Sequence, residues 1–89
     1  MKRKLIVTYD LKEPDGNYED VLKLVKSYGE WAKLGGSSYL ILTTATPVEV
    51  RDKIKTAMRK GDKLYVGVAP GPSAWTGMPD EVATWIHEH

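Results

Sequence analysis

The chain contains no cysteine, which excludes a disulfide scaffold and any zinc site built on thiolates. It also lacks long hydrophobic runs. Behind the basic start Met1-Lys2-Arg3-Lys4, the apolar stretch Leu5-Ile6-Val7 ends at Thr8. That is too short for a signal-peptide core or a membrane span, so cytosol is the expected compartment. An excess of one charge is missing too: 13 Lys and Arg stand against 12 Asp and Glu, a net charge of +1. Bulk electrostatics therefore does not advertise a nucleic-acid partner, and any such site must be a local patch. No P-loop, GxGxxG, HExxH or GxSxG motif occurs, which removes the common phosphate-loop, dinucleotide, metalloprotease and hydrolase signatures. Internal repeats and low-complexity tracts are absent.

What is there is ordinary globular material. The 89 residues are 42% hydrophobic and 28% charged, a length for one domain with a limited core. A second chain or a second layer often completes a core of this size.

Residues 4–11 are β-branched and apolar, with charge before them and Glu13-Pro14-Asp15-Gly16 after; they read as a buried first strand ending at a turn. Tyr18, Val21, Leu22, Val25 and Tyr28 then recur at helical spacing, with Asp15 or Asn17 as the expected cap and a stop near Gly29. Glu30–Leu34 is short and polar, an edge strand or a loop, and Ser38–Thr43 is a clear strand. Gly35-Gly36 between them fits a hairpin turn. Thr46-Pro47-Val48-Glu49 carries the signals of a capping box with proline at the first helical position. Val50, Ile54, Ala57 and Met58 form the stripe of a second helix, expected to end at Lys60-Gly61. Residues 63–69 make the last strand. Residues 70–79 hold three prolines and two glycines and read as a loop, and Pro79-Asp80-Glu81 opens a C-terminal helix bearing Val82, Trp85 and Ile86. The expected fold is an α/β (α+β) ferredoxin-like βαββαβ sandwich with an added C-terminal helix.

Two helices cover only one face of such a sheet. Yet Leu40 and Leu42 alternate with Tyr39 and Ile41, so both faces of the third strand are apolar. The second face is expected to meet the C-terminal segment, a second subunit, or both, and a homodimer is the favoured assembly.

Few residues carry recognisable chemistry. Asp10 ends the first strand; a carboxylate there could share a hard cation with its twin across a dimer axis, or simply serve the turn that follows. His87 and His89 could pair on a metal, though residues this near a terminus commonly fray. Trp31, Trp75 and Trp85 could stack on bases or pack internally; Trp85 reads as core and Trp75 as folding back over the sheet. Lys2, Arg3 and Lys4 at the start of the chain, with Lys53, Lys55, Arg59 and Lys60 along the second helix, could form a phosphate-contacting strip, or belong to solvated faces, since Glu49, Asp52 and Asp62 are interleaved.

Along nearly its whole length the chain resembles the SinR-like proteins. The resemblance is carried by Tyr9-Asp10-Leu11, Tyr18, Ser37-Ser38-Tyr39-Leu40-Ile41, Arg51-Asp52-Lys53-Ile54, Asp62-Lys63-Leu64, Ala74-Trp75-Thr76-Gly77 and Trp85. That family looks related in fold to Cas-two, the small nuclease subunit of the CRISPR adaptation complex, and to the VapD toxins. The resemblance implies a ferredoxin-like homodimer that binds RNA or DNA. It also implies a Mg²⁺- or Mn²⁺-dependent phosphodiesterase in which Asp10 holds the metal; beside it, Thr8 and Ser37 could position the water or the phosphate. A loop and helix replace the closing strand usual in Cas-two, and many members of that family bind nucleic acid without needing to cleave it. The rival expectation is a non-enzymatic module that engages protein through its sheet face or its Trp75 loop.

Overall fold

Leu5, Val7 and Tyr9 alternate with Ile6, Thr8 and Asp10 along the first strand, and that alternation divides the molecule into two layers. The computed structural model describes residues 2–69 and 72–89. Pro70 and Gly71 of the expected loop lie outside the described residues, as do the side chains of Pro14 and Asp15. The elements are β1 (Arg3–Asp10), α1 (Pro14–Lys26), β2 (Glu30–Gly35), β3 (Ser38–Thr43), α2 (Pro47–Lys55), β4 (Lys63–Val68) and α3 (Asp80–Glu88). The chain is thus an α+β domain with one four-stranded sheet in the order β2-β3-β1-β4, antiparallel at every pairing.

Register decides what each face carries. Leu5 pairs with Ile41 and Val7 with Tyr39, so these four side chains share a face, because opposed residues in a ladder point the same way. Val21 and Val25 of α1 and Val50 and Ile54 of α2 pack on that face and are completely buried. Each such side chain contributes about 1.5–3 kcal/mol of hydrophobic stabilisation. Tyr9 and Tyr39 stack with ring centroids 6.3 Å apart. Burial, with Tyr9 and Tyr18 alongside, raises the Tyr39 phenol above its ordinary pKa.

The helix starts follow two different rules. At α2 the expected capping box is complete: Thr46 Oγ1 accepts from Glu49 N at 3.2 Å and Glu49 Oε1 accepts from Thr46 N at 3.0 Å. At α1 the expected cap is wrong. The helix opens on Pro14 with Glu13 at the N-cap and no side-chain cap, because proline's fixed φ suits the first helical turn. Asn17 lies inside the helix, 4% exposed, and its amide is used elsewhere. α2 also ends earlier than expected, at Lys55. The chain continues through tight turns, with Ala57 N donating to Ile54 O and Met58 N to Lys55 O, as far as Gly61 at φ 94°.

On the second face, Ala32 and Leu40 are 5% and 7% exposed although neither α1 nor α2 lies there. Their cover is α3, which packs along β2 with Ile86 buried beneath it. β2 is thereby established as an edge strand closed by the chain's own tail. The β1–β4 half of the same face is different: Ile6 and Thr8 are half-buried and Tyr65 is 64% exposed. Among the described residues, the tail covers one half of the apolar face and leaves the other open.

Candidate nucleic-acid interface

Arg51, Lys55 and Arg59 recur every four residues, which places them on one side of α2 and its trailing turns. There they line a groove of about 630 Å³ with Lys60, and Met58, Gly61, Asp62 and Leu64 complete its walls. Arg51 is braced by Asp52, its Nε and Nη2 donating to Oδ1 at 3.0 and 2.8 Å. Arg59 Nη2 donates to Gly16 O at 3.1 Å. Lys55 and Lys60 make no ion pair among the described residues. The groove thus has a cationic rim over a partly apolar floor, a surface suited to phosphate oxygens.

The acidic residue in this groove does not cancel its charge freely. Asp62 accepts from Lys12 N at 2.8 Å, Asn17 Nδ2 at 3.0 Å and Arg59 N at 2.7 Å. Those donors hold its carboxyl below the usual carboxylate pKa, the Arg59 amide most strongly, then the Asn17 amide and the Lys12 amide. A carboxylate saturated in this way is a structural staple that joins β1's exit, α1 and the turn after α2. Among the described residues the Asp10 side chain makes no hydrogen bond to the turn after β1, whereas Asp62 accepts from Lys12 N there, from fifty residues away.

Asp10 is exposed at the end of β1, directly across from Lys63 of β4. With Thr8, Lys63 and Tyr65 it lines a shallow cleft of about 200 Å³ on the open half of the sheet. Thr8 and Asp10 are brought together as expected, but Ser37 is not part of the cleft. Thr8 Oγ1 instead lies 2.8 Å from Ser38 Oγ, its cross-strand neighbour, and the Ser37 carbonyl accepts from Tyr9 N. Asp10 is the carboxylate that lines this cleft, across from Lys63. Among the described residues no group of three or more His, Asp or Glu side chains gathers for a metal.

The other cations of the expected strip disperse. Lys53 lies on the far side of α2, donating to Ser27 Oγ at 3.0 Å and standing 4.7 Å over the Tyr28 ring. Arg3 begins β1, at the opposite end of that strand from Asp10. Of the expected set Lys55, Arg59 and Lys60 reach the groove, and Arg51 joins them. The four-residue spacing of 51, 55 and 59 was the readable signal for that face.

His89 is held rather than frayed: Nδ1 lies 2.8 Å from Trp85 O and Nε2 3.9 Å from Glu30 Oε1. Lys2 Nζ also reaches Glu30, at 2.7 Å, and lowers its carboxyl pKa. Trp31 and Trp85 line a largely apolar groove of about 590 Å³ between β2 and α3, and Trp75 is 40% exposed.

No helix among the described residues is long and apolar enough to cross a membrane. Comparison with protein-family models, curated proteins and solved structures gives no match to this chain.

Proposed function

We propose that this domain binds nucleic acid through the phosphate backbone, and that it is a ferredoxin-like, Cas-two-like module. The strand order β4-β1-β3-β2, with α1 and α2 on one face, supports the ferredoxin-like arrangement. The observation that carries the function is the groove in which Arg51, Lys55, Arg59 and Lys60 converge while Asp62 is occupied by backbone and amide donors. A chain of net charge +1 thereby gains a local cationic surface without a cationic whole. Binding here is a matter of backbone charge and is not base-specific.

A hydrolytic version would set Mg²⁺ between Asp10 and the Asp10 of a second copy. One chain does not supply such a site, so binding, and not cleavage, is the function proposed. The test is fluorescence anisotropy with single-stranded and duplex RNA and DNA across a salt series. Binding that weakens steeply with salt supports the reading; no binding to any of them at low salt refutes it.

A second reading has its own observation. The apolar groove of Trp31, Leu34, Pro79, Val82 and Trp85 suits a protein partner, and Trp75 is exposed as well. Salt-independent failure to bind nucleic acid would favour this non-enzymatic interaction module.

A further inference from the structure

β4 is one margin of the sheet, and its Leu64 forms a wall of the cationic groove. The next residue, Tyr65, is 64% exposed, more than any other large hydrophobic among the described residues. None of the aromatic or cation–π pairs among those residues includes it. Core packing therefore does not account for a ring at this position.

Register decides where that ring goes. Tyr65 pairs with Thr8, so its side chain leaves on the open half of the second face, away from α1 and α2. Gly67 follows on the same face and has no side chain to fill the space above it. The tyrosine takes that space. A Cβ built on Gly67 would stand 3.0 Å from Tyr65 Cε1, 3.1 Å from its Oη and 3.3 Å from its Cζ. Tyr65 thus lies back along its own strand, over bare backbone, and still presents most of its surface to solvent.

Two clefts meet at this ring. One, of about 220 Å³, joins it to Pro47, Val48 and Arg51 of α2. The other, of about 200 Å³, joins it to Thr8, Asp10 and Lys63. Arg51 and Leu64 line the cationic groove as well as the first cleft. The surface is therefore continuous from the groove cations, over the β4 margin, to Tyr65.

We infer that Tyr65 is a stacking platform for a base of a single-stranded nucleic acid whose phosphates lie in the groove. The inference rests on the phosphate-binding reading and adds the class of substrate. An aromatic surface beside a line of cations suits an unpaired strand, because every base carries a π-face whatever its identity. In a duplex the bases are already paired and stacked, and none reaches the ring without giving up both. The platform therefore favours single strands over duplex and selects no sequence. Trp31 and Trp85 do not serve this strand, since they line the groove at β2, on the opposite margin of the sheet.

Fluorescence anisotropy at low salt tests the platform with three ligands: a single-stranded thymidine oligonucleotide, the same strand with abasic sites in place of its bases, and a duplex of equal length. Wild type is expected to bind the base-bearing strand at least about fivefold more tightly than the abasic one, the low end of what one stacked base contributes. Tyr65→Thr keeps a strand-forming residue at this exposed position. It is expected to lose that margin, to bind the abasic strand and the duplex within about twofold of wild type, and to keep the wild-type salt slope, since no phosphate contact is removed. Tyr65→Phe is expected to retain the margin. Equal affinity of wild type for the base-bearing and abasic strands would overturn the platform while leaving the groove in place. So would a Tyr65→Thr variant with undiminished affinity for the thymidine strand, or one whose loss is shared equally by all three ligands. Absence of binding to any of the three by wild type refutes the groove, and the platform with it.

Discussion

The carboxylate of Asp62 accepts the backbone N–H of Lys12 at 2.8 Å, across fifty residues of sequence. The same side chain holds the Arg59 amide at 2.7 Å and the Asn17 amide at 3.0 Å. It fixes the turn that carries Arg59 and Lys60 against the start of α1, so the groove's shape depends on it. Asp62→Ala is expected to lower the thermal midpoint and to weaken nucleic-acid binding, even though it removes a negative charge from a cationic groove. Tighter binding by the variant would show that Asp62 acts there as a repulsive charge and not as a staple.

The staple has a pH signature. Its donors depress the Asp62 pKa in the folded chain, so the folded state binds fewer protons than the unfolded one near the ordinary carboxylate value. The stabilisation is fully present above about pH 4 and is lost as pH falls through the lower folded value. Asp62→Asn is expected to flatten the acid limb of a thermal-midpoint curve below about pH 4. Parallel curves for wild type and variant would assign the acid sensitivity elsewhere.

Asn17 provides a neutral check on the same junction. It is 4% exposed, and its Nδ2 donates to Ala57 O at 2.7 Å as well as to Asp62. Asn17→Ala leaves that part-buried carbonyl without its donor and is expected to cost about 1–3 kcal/mol in denaturant unfolding. A cost indistinguishable from zero would mean that water replaces the amide freely.

How much of this was legible beforehand follows from range. Thr46 and Glu49 are three residues apart and their capping box could be read directly; Ile54 and Val50 followed from helical spacing. The edge position of β2 was legible in its polarity. The start of α1 was misjudged because Asp15 and Asn17 are strong caps in isolation, whereas the packed position of Asn17 was decided by Ala57 and Asp62. Asp10 drew attention as the acidic end of a strand. The working acid was Asp62, whose partners at Lys12 and Asn17 no local pattern announces. The groove was largely visible: Lys55, Arg59 and Lys60 were expected, but Lys53 was grouped with them although it falls on the opposite side of the helix, over Tyr28.

Local helix energetics supply a further expectation. Thr46→Ala removes the acceptor for Glu49 N and is expected to cost about 1 kcal/mol. Ile54→Ala, at a completely buried core position, is expected to cost about 2–5 kcal/mol. Chemical denaturation of both variants checks the order; a larger loss at Thr46 than at Ile54 would contradict the core described above.

Asp10 separates binding from cleavage. It is exposed, and its side chain makes no hydrogen bond among the described residues. Asp10→Ala is expected to leave folding and nucleic-acid affinity within twofold of wild type. Mg²⁺-dependent cleavage by the wild type that disappears in this variant, or on adding EDTA, would establish the hydrolytic role instead.

The most direct test of the central claim is the salt dependence of nucleic-acid affinity in wild type and in Lys55→Glu with Lys60→Glu. These exposed cations line the groove, and reversing them leaves the core untouched. If the four groove cations each meet a phosphate, the log–log slope on a single strand is about −3. The double variant is then expected to lose at least tenfold in affinity at low salt, with the slope reduced by about 1.4. Equal affinity and equal slope for the two proteins would contradict the account, because the groove would then not be where the phosphates bind.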